Sequence, residues 1–171
     1  MTTGIGLLYV GAVLLMNGIA MIQKIDAKAV AVMNFFTGGL YVVICSINLA
    51  YAVFSGAQIT AFYGVGTSML FGFTYIFVGL TNWFGLDVRS QSWYCFFVGV
   101  TTIPCSLLAF QGGDWRFGII WLVWGYLWLL YWITGAFKNV KAPAALVPWS
   151  TIVIGVCTCW VPGYLLLANL W

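Results

Sequence analysis

Four aromatic residues, Phe117, Trp121, Trp124 and Trp128, stand at spacings of four, three and four in the segment FGIIWLVWGYLWLLYW. Helical geometry puts such a set on one face, and Trp132 is expected to continue it. Indole rings can stack on planar groups and present an N–H at their edge, which is recognition chemistry rather than bond-breaking chemistry. An interfacial belt would hold Trp at the ends of a span, whereas Trp124 and Trp128 fall near the middle of this one. The stripe therefore either faces a pathway or packs against a neighbouring helix. Leu7 and Leu14 are seven apart, and Phe71 and Tyr75 four apart; each pair taken alone reads as ordinary packing.

Covalent chemistry has few candidates. The chain has no His and no Glu, and its three acids, Asp26, Asp87 and Asp114, all fall between apolar runs. Hydrolysis needs a nucleophile with a base, or a metal, so an enzyme is not expected. Cys45, Cys95, Cys105, Cys157 and Cys159 lie inside apolar runs and read as small buried hydrophobes. The two-residue step between Cys157 and Cys159 is not that of a zinc or redox pair. No metal, other cofactor or nucleic-acid partner is expected.

The elements that position these residues are membrane helices. Of 171 residues, 64% are hydrophobic and 5% charged, against about 25% charged in a soluble domain. So apolar a surface must face lipid. Six apolar segments, roughly 4–23, 29–54, 60–81, 92–111, 117–137 and 149–170, have helix-span rather than barrel-strand length. The first, MTTGIGLLYVGAVLLMNGIAMI, lacks the basic n-region of a signal peptide and is read as a span. The expected fold is all-α: one transmembrane domain over residues 1–171. Loops one, three and five carry Lys24, Lys28, Arg89, Lys138 and Lys141; loops two and four carry only Arg116, beside Asp114. Basic loops stay in the cytoplasm, so both termini are expected outside it.

The chain repeats at an offset of 61 positions. Asp26 matches Asp87, Lys28 matches Arg89, Phe35-Phe36 match Phe96-Phe97, Gly11 matches Gly72 and Gly38 matches Gly99. A weaker third unit places Trp149 six before Gly155, as Trp93 stands six before Gly99. Three helical hairpins with cytoplasmic turns imply a pseudo-threefold bundle, whose axis is a natural pathway. Polar residues within the spans are Asn17, Asn34, Asn48, Thr74, Thr101 and Thr102; such groups bond neighbouring helices or face a cavity. None is ionisable, which suits a small, neutral, planar solute.

The segments LLYVGAVLLMNG, AVMNFFTGGL, FYGVGTSMLFGFTYIF, FGLDVRSQSWYCFFVG, IIWLVWGYLWL and WVPGYLLL together resemble the bacterial urea channel and amide transporter family, over nearly the whole chain. The resemblance implies a twisted six-helix bundle with a pore through each protomer and ring-shaped homo-hexamers in the inner membrane. It also implies two constrictions of aliphatic and aromatic side chains. Carried onto this sequence, the pore-lining set is Leu7, Leu14, Phe71, Tyr75, Phe117, Trp121, Trp124, Leu127 and Trp128, with Leu127 resting on the resemblance alone. The implied activity is passive conduction of urea or a short aliphatic amide, the alternative being an energised secondary transporter. The sequence departs from the family pattern twice. Acid-gated members carry His and acids in long outer loops, absent here, and Ile154 stands where members usually carry Glu. A switch between pH 5 and 7 needs a group that titrates there, and each Asp instead has a basic residue two positions on. Permeation nearly independent of pH is therefore expected.

Overall fold

The computed structural model describes residues 2–140 and 142–171; Lys141, one of the expected cytoplasmic cations, lies outside the described residues. Six helices are long and apolar enough to cross a membrane: α1 Thr2–Gln23, α2 Ala27–Phe54, α3 Ile59–Phe84, α4 Val88–Gln111, α5 Trp115–Ala136 and α6 Leu146–Leu167. No strand occurs among the described residues. Within α6 the turn Gly155–Trp160 widens into a π-helix. Pro162 follows two residues later and has no N–H to return to the carbonyl of Thr158, a common origin of such a bulge.

Helix ends account for the charges. Asp26 accepts from the N–H groups of Lys28 and Ala29 (3.0 and 3.3 Å), Asp87 from Arg89 N–H (3.0 Å), and Asp114 from Phe117 N–H (3.0 Å). All three carboxylates are thus N-caps, each satisfying donors that a helix start leaves free. They explain why α2, α4 and α5 begin at Ala27, Val88 and Trp115, two to four residues before the apolar runs that mark them in the sequence. At the opposite ends, Lys24 (φ 54°), Gly56 (63°), Gly85 (64°), Gly113 (80°) and Asn169 (57°) are left-handed. Each is followed by a six-to-one closing bond, such as Leu86 N–H to Thr81 O at 3.1 Å, which caps the last turn.

The three sequence units do not pack as isolated hairpins. The most intimate pairs are α2 with α3, α4 with α5, and α6 with α1, while α1–α2, α3–α4 and α5–α6 meet along looser seams. Each intimate pair is closed by two facing glycines: Gly38 with Gly72, Gly99 with Gly125, and Gly155 with Gly11. A methyl group built on Gly38 would lie 3.0 Å from Gly72 O; on Gly125, 3.4 Å from Gly99 O; on Gly155, 3.5 Å from Gly11 O. Small residues let backbones approach where burial alone gives no drive to associate in lipid. The pairs also fix a common register: Gly11, Gly72 and Gly125 mark one level on α1, α3 and α5, and Gly38, Gly99 and Gly155 the matching level on α2, α4 and α6.

Candidate functional site

The glycine register shows what the odd-numbered helices bring to the axis. One residue before the glycine stand Val10, Phe71 and Trp124; three after it, Leu14, Tyr75 and Trp128; four before it, Leu7, Ser68 and Trp121. Two cavities are lined by these positions. One of about 440 Å³, at the end carrying Lys24 and called inner for the side expected to face the cytoplasm, is walled by Val10, Leu14, Tyr75, Leu127 and Trp128. An outer one of about 500 Å³, at the end carrying Thr2 and Ala57, is walled by Leu7, Tyr41, Ser68, Phe117 and Trp121. Phe71 and Trp124 border both and form the septum between them.

The septum is a stack of rings. Phe71 lies with its centroid 4.9 Å from Trp124 in an edge-on arrangement (80°), 5.1 Å from Trp128 and 5.6 Å from Tyr41, on which it stacks. Trp121 meets Trp124 edge-on at 5.0 Å (84°). These are favourable aromatic geometries. Phe71 and Trp124 are only 5% and 3% exposed, so little of either ring opens onto a cavity. The Trp124 indole N–H donates to Thr158 Oγ1 (2.9 Å), whose own proton goes to Ile154 O (2.6 Å). The π-turn of α6 therefore holds the ring through its edge, while Phe71 and Trp121 pack against it. Ile154 is buried in the core, with no charge at that position.

All nine residues of the sequence-derived set line one cavity or the other, Leu127 included. Trp132 does not continue the stripe: its ring packs with Phe96 (4.6 Å), Phe137 (5.5 Å) and Trp93 (5.6 Å). A four-residue step overshoots one helical turn by about 40°, and after Trp128 that drift carries the side chain off the axis and onto α4. Cys157 is exposed on the protomer surface, contrary to the expectation that all five cysteines are buried; the other four are buried. Cys157 shares the outward face of α6 with Val153, Trp160 and Tyr164. Thr101 likewise faces outward and returns its hydroxyl to Phe97 O (2.8 Å), as a lone hydroxyl on an apolar face must.

Val10, Tyr41, Ser68 and Tyr131 also line the cavities and were not singled out from the sequence. The signal for three of them exists as a register counted from Gly11, Gly72 and Gly125, but only the helix pairing reveals that these glycines are equivalent. Polar groups on the walls are neutral: Asn17, Thr74, Asn82 and Gln91 inside, Asn48, Thr67 and Ser68 outside. Lys24, at the inner mouth, is the one charged wall residue among those described. No cluster of three or more His, Cys, Asp or Glu side chains is found among the described residues. Outside the spans, Arg89 pairs with Asp87 and holds that carboxyl down at about 2, chiefly through its side-chain hydrogen bonds.

Comparison with known proteins agrees with this architecture. The chain is 39% identical to the acid-activated urea channel of Helicobacter pylori, over 98% of each chain. It is 34% identical to the putative transporter protein AmiS2 of Rhodococcus erythropolis, over 96% of this chain and 79% of that one. The crystal structure of the urea channel from Helicobacter pylori superposes with a TM-score of 0.90 at 40% identity, covering 100% of this chain and 99% of that one. The cryo-EM structure of that channel in its closed state gives 0.89, covering 98% of each. The model of the AmiS/UreI transporter family, whose members are channels and transporters rather than enzymes, matches residues 2–170, and the chain belongs to that family.

Proposed function

We propose that this protein is a passive channel for urea or short aliphatic amides in the bacterial inner membrane, a single transmembrane channel domain whose solute crosses the Phe71–Trp124 septum between the two cavities. The observation that carries the reading is the disposition of charge. All three carboxylates are consumed as helix caps at the membrane faces, and the septum is bounded by neutral rings. Energised transport needs a coupling group, an intramembrane carboxylate or a cation cage, and the wall offers neither. Ring faces and neutral hydrogen-bonding edges suit a planar, uncharged solute. The names of the relatives, a urea channel and an AmiS transporter, point to the same solute class.

Independence from pH is part of this reading. The chain has no His. The alignment with the acid-activated channel runs over 197 positions against 171 residues here, so that relative carries segments this chain lacks. The distribution of Lys and Arg supports both termini lying outside the cytoplasm, and the family resemblance supports a homo-hexamer. Swelling of proteoliposomes in urea and acetamide gradients, with and without an imposed pH gradient, tests the function: flux should follow the solute gradient alone. Accumulation of amide against its gradient, driven by protons, would establish the energised alternative. Epitope tags at either end should react with an impermeant reagent on intact cells, and protection of both would reverse the orientation.

A further inference from the structure

Six residues past each register glycine stand Asn17 on α1, Val78 on α3 and Tyr131 on α5, one level deeper into the inner cavity than Leu14, Tyr75 and Trp128; all three line it. Four residues before the glycines of the even helices stand their seam partners, Asn34, Cys95 and Thr151. Two of the three seams are hydrogen-bonded across this level and the third is apolar.

The donors and acceptors left over can be counted. Asn34, fully buried, donates to Val30 O (2.9 Å) and to Asn17 Oδ1 (2.8 Å), and accepts from Asn17 Nδ2 (3.1 Å). The bond to Val30 fixes which end of the Asn34 amide is nitrogen, and the orientation of Asn17 follows. A primary amide has two N–H donors and two lone pairs on oxygen. Asn17 therefore keeps one N–H and one lone pair. Thr151 gives its proton to Val147 O (2.7 Å), so Tyr131 Oη, 2.8 Å away, donates to Thr151 and keeps its lone pairs. The level thus offers one donor and two acceptors on two sides, and Val78 with the buried Cys95 on the third.

We infer that this level is a selectivity ring for primary amides carrying one alkyl group: the solute carbonyl accepts from Asn17, its NH₂ donates to Asn17 and Tyr131, and its alkyl substituent rests on Val78 and Cys95. Urea fits the two polar sides equally well but turns a second NH₂ toward Val78 and Cys95, side chains that offer no oxygen acceptor at this level, and loses a hydrogen bond it had in water. The ring accordingly favours acetamide over urea by about fivefold, the worth of one hydrogen bond. This assignment rests on the channel reading above and names the solute class within it.

Stopped-flow light scattering on proteoliposomes of the full chain, corrected for protein-free liposomes, gives the acetamide-to-urea permeability ratio. Val78→Thr adds a hydroxyl in the volume of a methyl group and should lower that ratio about fivefold. Tyr131→Phe should lower both fluxes together and leave the ratio in place. Asn17→Leu should do the same if it inserts, but it also breaks the α1–α2 seam, so Val78→Thr is decisive. A protein that carries both solutes with a ratio unmoved by Val78→Thr overturns the ring alone. Wild-type protein that carries neither overturns the channel reading and the ring with it.

Discussion

Helices α1 and α5 occupy equivalent places in a threefold scaffold and present opposite chemistry. At the levels where α1 has Leu7, Val10 and Leu14, α5 has Trp121, Trp124 and Trp128. α3 stands between them in character, with Ser68, Phe71 and Tyr75. The paired glycines bring all three helices into close backbone contact with their partners, so the packing is similar while the wall is not. One side of the axis is low and aliphatic, the other broad, flat and aromatic. A round cation would find no ring of oxygens in such a passage. On the channel reading proposed above, a flat neutral molecule would pass between the indoles and the aliphatic wall. The contrast teaches that the glycines shared between units set the helix packing, while the residues that reach the axis differ from one unit to the next.

The largest expected effect comes from erasing that contrast. Leu14→Trp copies α5 onto α1 at the level of Trp128 and fills the inner side of the septum, so it should abolish most protein-mediated flux while the protein still inserts. Trp124→Ala does the reverse, joining the two cavities, and should raise permeability severalfold and admit amides larger than acetamide. Stopped-flow measurement of urea, acetamide and butyramide decides both. If Trp121, Trp124 and Trp128 can each be cut to Ala with unchanged flux, the stripe is packing and the passage lies elsewhere.

A smaller effect tests the shared scaffold rather than the wall. Gly38 and Gly39 are neighbours with opposite surroundings. A methyl group on Gly38 would lie 2.7 Å from Ile76 Cγ1 and 2.8 Å from Ile76 N; one on Gly39 would meet nothing within 4 Å. Gly38→Ala should destabilise the detergent-solubilised protein by about 1–3 kcal/mol, as overpacking does. Gly39→Ala should leave it unchanged or stabilise it by about 0.5–1 kcal/mol, because alanine loses less backbone entropy in a helix. Thermal unfolding of the two variants side by side checks the register on which the α1–α5 comparison stands. Equal melting temperatures would break it.

The smallest expected effect is that of pH. The carboxyl of Asp87 is held at about 2 in the folded protein against an ordinary 3.8. A carboxyl depressed in this way stabilises the fold above its unfolded value and loses that contribution as pH falls from about 3.8 toward about 2. That window lies wholly below pH 5. Permeability should therefore be flat between pH 5 and pH 7.5, and stability should decline only in stronger acid. A severalfold rise in urea permeability at pH 5 would contradict this and direct attention to Asp114, the acid at the outer end.

Much of this was written in composition and period. A chain with 5% charged residues has no surface for water, so six spans and a membrane location follow from transfer free energy alone. The aromatic stripe of α5 follows from a spacing that any helix would obey. The repeat of Asp26 and Asp87 was visible in the sequence, but that both cap helix starts came only from their hydrogen bonds to the following N–H groups. Tertiary structure decided the rest. Trp132 left the stripe because a straight helix drifts and a neighbouring aromatic cluster was there to receive it. Cys157 faced outward because it falls on the same face of α6 as the exposed Val153, Trp160 and Tyr164, and which face turns away is decided by packing on α1. The places of Val10 and Tyr131 and the pairing of Asn17 with Asn34 come from contacts between helices rather than from any one helix. Which glycines face each other depends on how six helices close around an axis, and no local pattern contains that closure.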